Sequence, residues 1–175
     1  ETQLQYARNG HAVLRGSIPS STIDDLRADL LQYSQQKELE AWRQKVQVAT
    51  QLPSATIAKK YKDISQCQQL LLQQQQQPQN NNDDDLLKIP FLQHFNTWRD
   101  LPSVRQFVTS PPLTSMARIL LGVPSIKLYQ DSLFHKRGGD GPTPWHSDAR
   151  MAPFDTSHMI TFWIPLNQVP SVADG

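Results

Sequence analysis

Ile126-Lys127-Leu128-Tyr129-Gln130-Asp131-Ser132-Leu133-Phe134-His135-Lys136 is a run whose pattern changes from the helical spacing of the preceding residues to an alternation with a period of two. Successive side chains on a β-strand point to opposite faces of the sheet. Gln130, Ser132 and Lys136 therefore share one face of the predicted strand. His135 lies on the other face, away from Lys136. The run predicts β structure in the second half of the chain.

Strand-like patterns fill this second half, whereas helical patterns come before it. Residues 159–166 predict another strand, after a loop rich in glycine and proline at 137–144. A helix is predicted from Ser21 to about residue 48, because apolar residues recur there at helical spacing and Ser21 can cap its first amides. Helices followed by strands predict an α+β fold, with helices packed on a mainly β core.

Four further segments complete the predicted organisation. Residues 9–16 form a short β-like run between glycines, and residues 91–109 a helical piece that tolerates Pro102 near its start. Residues 113–121 predict a helix that ends at Gly122. Residues 66–85 are rich in Gln, Asn and Asp and predict a disordered insertion, because they offer too little apolar surface to offset the entropy of ordering.

Composition excludes several classes of function. The formal net charge is +1, so no electrostatic signature indicates nucleic acid or an anionic membrane surface. The single Cys67 excludes an intramolecular disulfide and a multi-cysteine zinc site. We expect an intracellular, cytoplasmic protein with no membrane span and no protein partner. The first residue is not Met, so we expect the natural amino terminus to lie upstream, which leaves an organelle open.

His146-Ser147-Asp148 is an H-x-D triplet with the spacing of a metal-ligand pair. Residues i and i+2 of an extended segment project from the same face, so one imidazole and one carboxylate can converge on one cation. Two histidines and one carboxylate on one face of an octahedron leave three positions open, an arrangement that suits Fe(II) oxygenases. The alternative is a hydrogen-bonded surface histidine, because a triplet this short also arises by chance.

Several motifs around this triplet resemble those of one known family. They are the runs at 128–136, 142–148, 151–155 and 161–166, the Arg118–Gly122 helix end, and the opening at 9–14. Together they resemble the phytanoyl-CoA dioxygenase (PhyH-like) family over residues 1–175, except for the insertion at 66–85 and its flanks. The resemblance implies a double-stranded β-helix, which is a cupin-like jelly roll, with helices at the amino-terminal side. It also implies hydroxylation of a small organic substrate with Fe(II), 2-oxoglutarate and O₂, supported by ascorbate.

The resemblance further implies roles for individual residues. His146 and Asp148 would hold the iron, as metal ligands and catalytic residues. The cofactor-binding residues would be Lys136, which contacts 2-oxoglutarate, with Ser132 and Trp163 lining its pocket, and Gln130 would lie at the substrate. Alternatives stay open for each of these: a solvated strand end for Lys136, a partner of buried backbone for Gln130, and a core residue for Trp163.

The family's third iron ligand, a histidine, and the arginine that grips 2-oxoglutarate come from strands after the H-x-D segment. Neither precedes Gly175, so we expect this piece to be truncated at the carboxy-terminal side of the barrel and inactive alone. The main alternative is a non-catalytic jelly-roll binding module of the same fold. A third hypothesis is a Gln-rich interaction protein in which the H-x-D triplet is incidental.

Overall fold

A computed structural model describes residues 1–75, 92–137, 143–156 and 158–169. Two strands of the described residues, β1 and β2, pair in one sheet. No helix in the same residues combines the length and the apolar character needed to span a membrane. The elements are α1 (Thr2–Asn9), α2 (Ser20–Thr50), α3 (Ser54–Lys60), α4 (Ile64–Gln75), β1 (Leu92–Phe95), a 3₁₀ turn (Thr97–Arg99), α5 (Pro102–Val108), α6 (Pro111–Leu121), β2 (Ser132–His135) and α7 (Asp148–Met151).

The chain divides into two compact units, each formed by separate stretches of sequence. The first unit takes the described residues of Glu1–Asp29, Phe95–Leu133 and Pro142–Gly175. The second takes those of Leu30–His94 and Phe134–Gly141.

Helices α1, α5 and α6 organise the first unit. Helix α6 buries Leu113, Ala117 and Leu120 on one face, and both α1 and α5 pack against it. Gly122 ends α6 in the left-handed region at φ +66°, where a side chain would be strained. This helix and its glycine cap confirm the prediction for residues 113–121.

Asp131 fastens the 3₁₀ turn of the first unit to the residue before β2. Its Oδ2 accepts hydrogen bonds from the backbone N–H of Thr97 at 3.1 Å and from the Thr97 hydroxyl at 2.5 Å. Its Oδ1 accepts the N–H of Trp98 at 2.9 Å, and its carbonyl oxygen accepts the N–H of Asn96 at 2.9 Å. Thr97 is fully buried, so its polar atoms depend on this carboxylate instead of water.

The second unit is built by the later part of α2 with α3 and α4. Left-handed Gln51 (φ +55°) and then Pro53 stop α2 near its predicted end, because neither continues a helix. Asp63 accepts the N–H of Gln66 at 2.9 Å, and the Gln66 side chain accepts the N–H of Lys62 at 2.6 Å, so the start of α4 is capped from both sides. The buried core of the unit consists of Trp42, Val46, Ile57, Tyr61, Cys67 and Leu71.

The structure differs from the sequence predictions in four segments. Residues 9–16 contain the end of α1 and an irregular stretch instead of a strand, and 91–109 hold β1, the 3₁₀ turn and α5 instead of one helical piece. Residues 66–75 lie in α4 instead of a disordered insertion, while 76–85 lie outside the described residues. Residues 159–166 form no strand in the described part of the chain, and only 132–135 of the run at 126–136 form a strand. The helical part of the predicted architecture is therefore present, whereas a double-stranded β-helix is not confirmed.

Candidate metal centre

The H-x-D triplet of the first unit lies where an extended segment becomes a short helix. Ser147 is extended (φ −116°, ψ 125°), as the sequence predicted, but Asp148 is the first residue of α7 instead of part of a strand. The N–H of Arg150 donates to the Ser147 carbonyl at 3.0 Å, and the N–H of Ala152 donates to the Asp148 carbonyl at 3.0 Å. This turn holds the Asp148 backbone directly after the extended residues.

The side chains of His146 and Asp148 meet despite this change of backbone. His146 Nε2 lies 3.3 Å from Asp148 Oδ1, and both side chains are about half exposed. His146 Nδ1 lies 2.8 Å from the carbonyl oxygen of Pro144. Because a carbonyl only accepts, Nδ1 carries a proton in this contact, and Nε2 is the ring nitrogen that faces the carboxylate. A proton or a metal cation between Nε2 and Oδ1 would stabilise this close approach.

The separation of these two donors fits adjacent ligands of one metal ion. Imidazole nitrogen and carboxylate oxygen bind transition metals at about 2.0–2.2 Å, so two ligands at right angles lie about 3 Å apart. A metal-bound histidine commonly donates its other N–H to a backbone carbonyl, which fixes the ring and strengthens the donor. The Pro144 carbonyl already holds His146 in this way. One nitrogen and one carboxylate oxygen suit iron better than magnesium or calcium, which prefer shells of oxygen alone.

A complete ligand set does not form within the residues that the structure describes. In that part of the chain, no group of three His, Cys, Asp or Glu side chains converges to hold a metal ion. His158, the next histidine after the triplet, is exposed. The pair His146 and Asp148 thus offers one nitrogen and one oxygen donor to a metal ion.

Three other predicted site residues also belong to the first unit. Ser132 is the first residue of β2 and is half-buried, and Gln130 is exposed two residues before it. Trp163 is 75% exposed, which argues against the alternative of a core residue. In the part of the chain that the structure describes, no hydrogen bond or ion pair joins these side chains to the His146 and Asp148 pair.

Lys136, the predicted 2-oxoglutarate residue, belongs to the second unit. It follows the last residue of β2, and its side chain is exposed. His135, which the sequence placed on the opposite face, lies 2.9 Å through Nδ1 from the buried hydroxyl of Ser34. The opposite directions of these two neighbours agree with the predicted alternation.

The structure also shows two groupings that sequence reasoning missed. Tyr129 and Phe154 form an edge-to-face aromatic pair in the first unit, with ring centroids 4.6 Å apart. In the second unit, His94 Nε2 lies 3.3 Å from the same Ser34 hydroxyl that contacts His135. Strand parity assigned His135 to the face opposite Lys136, but no sequence feature indicated Ser34 or a partner for His94.

A scan against protein families matches the phytanoyl-CoA dioxygenase (PhyH) description over residues 6–173. Proteins of this family are oxygenases of the Fe(II)/2-oxoglutarate type with a jelly-roll fold. No curated protein and no solved structure matches the chain. Because the family match covers nearly the whole sequence and includes the H-x-D triplet, the chain belongs to the phytanoyl-CoA dioxygenase family.

Proposed function

We propose that His146 and Asp148 are two iron ligands of an Fe(II)- and 2-oxoglutarate-dependent dioxygenase that hydroxylates a small organic substrate. The observation that carries this proposal is the 3.3 Å separation of His146 Nε2 from Asp148 Oδ1, with Nδ1 anchored on Pro144. Family membership supplies the reaction class, and the donor geometry supports the choice of residues.

Each candidate site residue has a defined role in this proposal. His146 donates a neutral nitrogen, and its hydrogen bond to Pro144 keeps the ring from rotating away. Asp148 supplies a negative charge that partly neutralises the cation. Lys136 pairs with a carboxylate of 2-oxoglutarate, Ser132 and Trp163 also contribute to 2-oxoglutarate binding, and Gln130 contacts the substrate. The bound iron supplies the oxidising chemistry with O₂, while the protein orients the reactants.

Succinate released from 2-oxoglutarate tests the proposal without knowledge of the substrate. The full-length parent protein is assayed with Fe(II), ascorbate and 2-oxoglutarate, because this piece alone is expected to be inactive, and uncoupled turnover is followed. We expect His146→Ala and Asp148→Ala each to lower the rate at least about 100-fold, because loss of even an outer partner of a metal ligand costs about 10–100-fold. His158→Ala is the matched control, since this exposed histidine belongs to the same unit, and it should retain the rate. Equal turnover in the wild type and His146→Ala would remove His146 from the mechanism.

A second candidate function is a non-catalytic binding module of the same family. It is favoured by the two-ligand set, because no third metal-binding side chain joins the pair within the described residues. Such a module would bind Mn(II), a redox-inert substitute for Fe(II), through His146 and Asp148 but would release no succinate. Metal binding without turnover therefore distinguishes this candidate from the enzyme.

A further inference from the structure

Helix α2 contacts the end of β2 through two successive pairs of side chains, both within the second unit. The first pair joins the Ser34 hydroxyl to His135 Nδ1 at 2.9 Å. The second joins Glu38 Oε1 to the guanidinium of Arg137 at 2.5 Å. We call these two pairs the α2 clamp. Lys136 lies between His135 and Arg137 in the sequence.

The spacing of the two pairs matches the repeats of both elements. Ser34 and Glu38 are four residues apart, so they lie on the same face of α2 with a rise of about 6 Å between them. His135 ends β2 and Arg137 follows two residues later; two residues of extended chain span about 6.6 Å. Both residues can therefore reach the same helical face without distorting either backbone.

Burial makes the first pair hard to replace. Ser34 is only 1% exposed, and its hydroxyl also contacts His94 Nε2 on β1 at 3.3 Å. One hydroxyl thus joins the helix to both strands, and a buried polar atom that loses such a partner is costly. A slip of β2 by one residue would place at this position either Phe134, which has no polar side-chain atom, or Lys136, whose charged ammonium group is costly to bury.

The clamp determines the direction of Lys136. Side chains alternate along an extended segment, so residues whose two neighbours both face α2 must point to the opposite side. The exposure of Lys136 agrees with this direction. We propose that Ser34 and Glu38 are positioning residues, which fix β2 so that Lys136 presents its ammonium group to the 2-oxoglutarate carboxylate; this rests on the proposed function.

The test compares 2-oxoglutarate affinity in clamp variants of the full chain loaded with Mn(II). Ser34→Ala and Glu38→Gln change size little and keep good helix formers on α2. Glu40→Gln is the matched control, because Glu40 pairs with Lys37 on the same helix instead of with β2. By calorimetry, we expect the double variant Ser34→Ala/Glu38→Gln to weaken 2-oxoglutarate binding about tenfold, because Ser34→Ala removes a hydrogen bond of modest strength and Glu38→Gln removes the charge of the ion pair. Mn(II) affinity and the affinity of Glu40→Gln should stay at the wild-type value.

A role through Lys136 is separated from a general structural role by a double-mutant cycle. In a Lys136→Ala background, Glu38→Gln should produce no further loss, because the group on which the clamp acts is gone. The acetylation rate of Lys136, measured by mass spectrometry against Lys59, should change in the clamp variants but not in Glu40→Gln. An unchanged rate together with unchanged affinity would overturn the clamp alone. Wild-type protein that binds Mn(II) but no 2-oxoglutarate would overturn the proposed function and this inference with it, whatever the acetylation rates.

Discussion

At the level of single residues, Asp131 contributes more to the fold than its position beside the predicted strand suggests. Its carboxylate accepts three hydrogen bonds from Thr97 and Trp98, and Thr97 is fully buried. We expect Asp131→Ala to lower the free energy of unfolding by about 2–3 kcal/mol, because it leaves buried donors without an acceptor. Urea denaturation measures the loss, with Asp155→Ala as an exposed carboxylate of the same unit for comparison. Equal stability of the two variants would contradict the role of Asp131.

His94 predicts how acid affects stability. Burial lowers its pKa, and the positive charge of Lys37 and the neighbouring His135 lower it further. In the unfolded chain the pKa returns to about 6.5, so below that pH the unfolded state binds the proton more readily. The contribution of neutral His94 to stability is therefore complete above pH ~6.5 and is lost as the pH falls towards the folded-state pKa.

Unfolding by urea at about pH 7.5 and about pH 5.5 tests this dependence. We expect the wild type to lose stability on acidification and His94→Gln to lose less of it. His11→Gln is the control, because His11 is exposed near the amino terminus. An identical acid-induced loss in the wild type and His94→Gln would show that another group titrates.

At the level of elements, the start of α4 explains why part of a low-complexity tract is ordered. Asp63 caps the helix through Gln66, and α4 then buries Cys67 and Leu71. We expect Asp63→Ala to destabilise the protein by about 1 kcal/mol, whereas Asp63→Asn should lose less, because an Asn side chain also caps. Thermal unfolding followed by circular dichroism compares them. A melting temperature of Asp63→Ala equal to that of the wild type would contradict the cap.

The sequence predicted those features of these elements that depend on neighbouring residues, such as the end of a helix. Pro111 and Gly122 bracket α6 by backbone chemistry alone, so its ends were predictable. The Asp63 and Gln66 cap was present in the sequence, but the glutamines after it obscured it. Strand β1 has only four residues, and its last residue, Phe95, is separated from Trp98 by a helical spacing, which favoured a helix in the prediction. Residues 159–166 show why alternation is insufficient, since a strand also requires a hydrogen-bonded partner.

At the level of the whole molecule, contacts between residues close in sequence were predictable, whereas contacts between residues far apart in sequence were not. His146 and Asp148 are two residues apart, so their meeting follows from short-range geometry. The contacts of Ser34 with His94 and His135 join residues 60 and 101 positions apart, and nothing in a single sequence specifies which distant side chains pack together. The proximity of His146 and Asp148 was therefore predictable from the sequence. The contacts of Ser34 on α2 with the two strands could be identified only from the structure.

Metal binding should be visible in the stability of the whole protein, because the folded backbone at Ser147 and α7 holds His146 and Asp148 close together. A ligand that binds the folded state alone adds RT ln(1 + [L]/Kd), which is about 2.7 kcal/mol at a hundredfold excess over Kd. We expect saturating Mn(II) to raise the free energy of unfolding by about this amount and a chelator to reverse it. The increase should be absent in His146→Ala and preserved in His158→Ala. Since unfolding reports binding without turnover, stabilisation that survives in His146→Ala would mean that the metal binds elsewhere, and the 3.3 Å pair would then be an ordinary hydrogen-bonded contact.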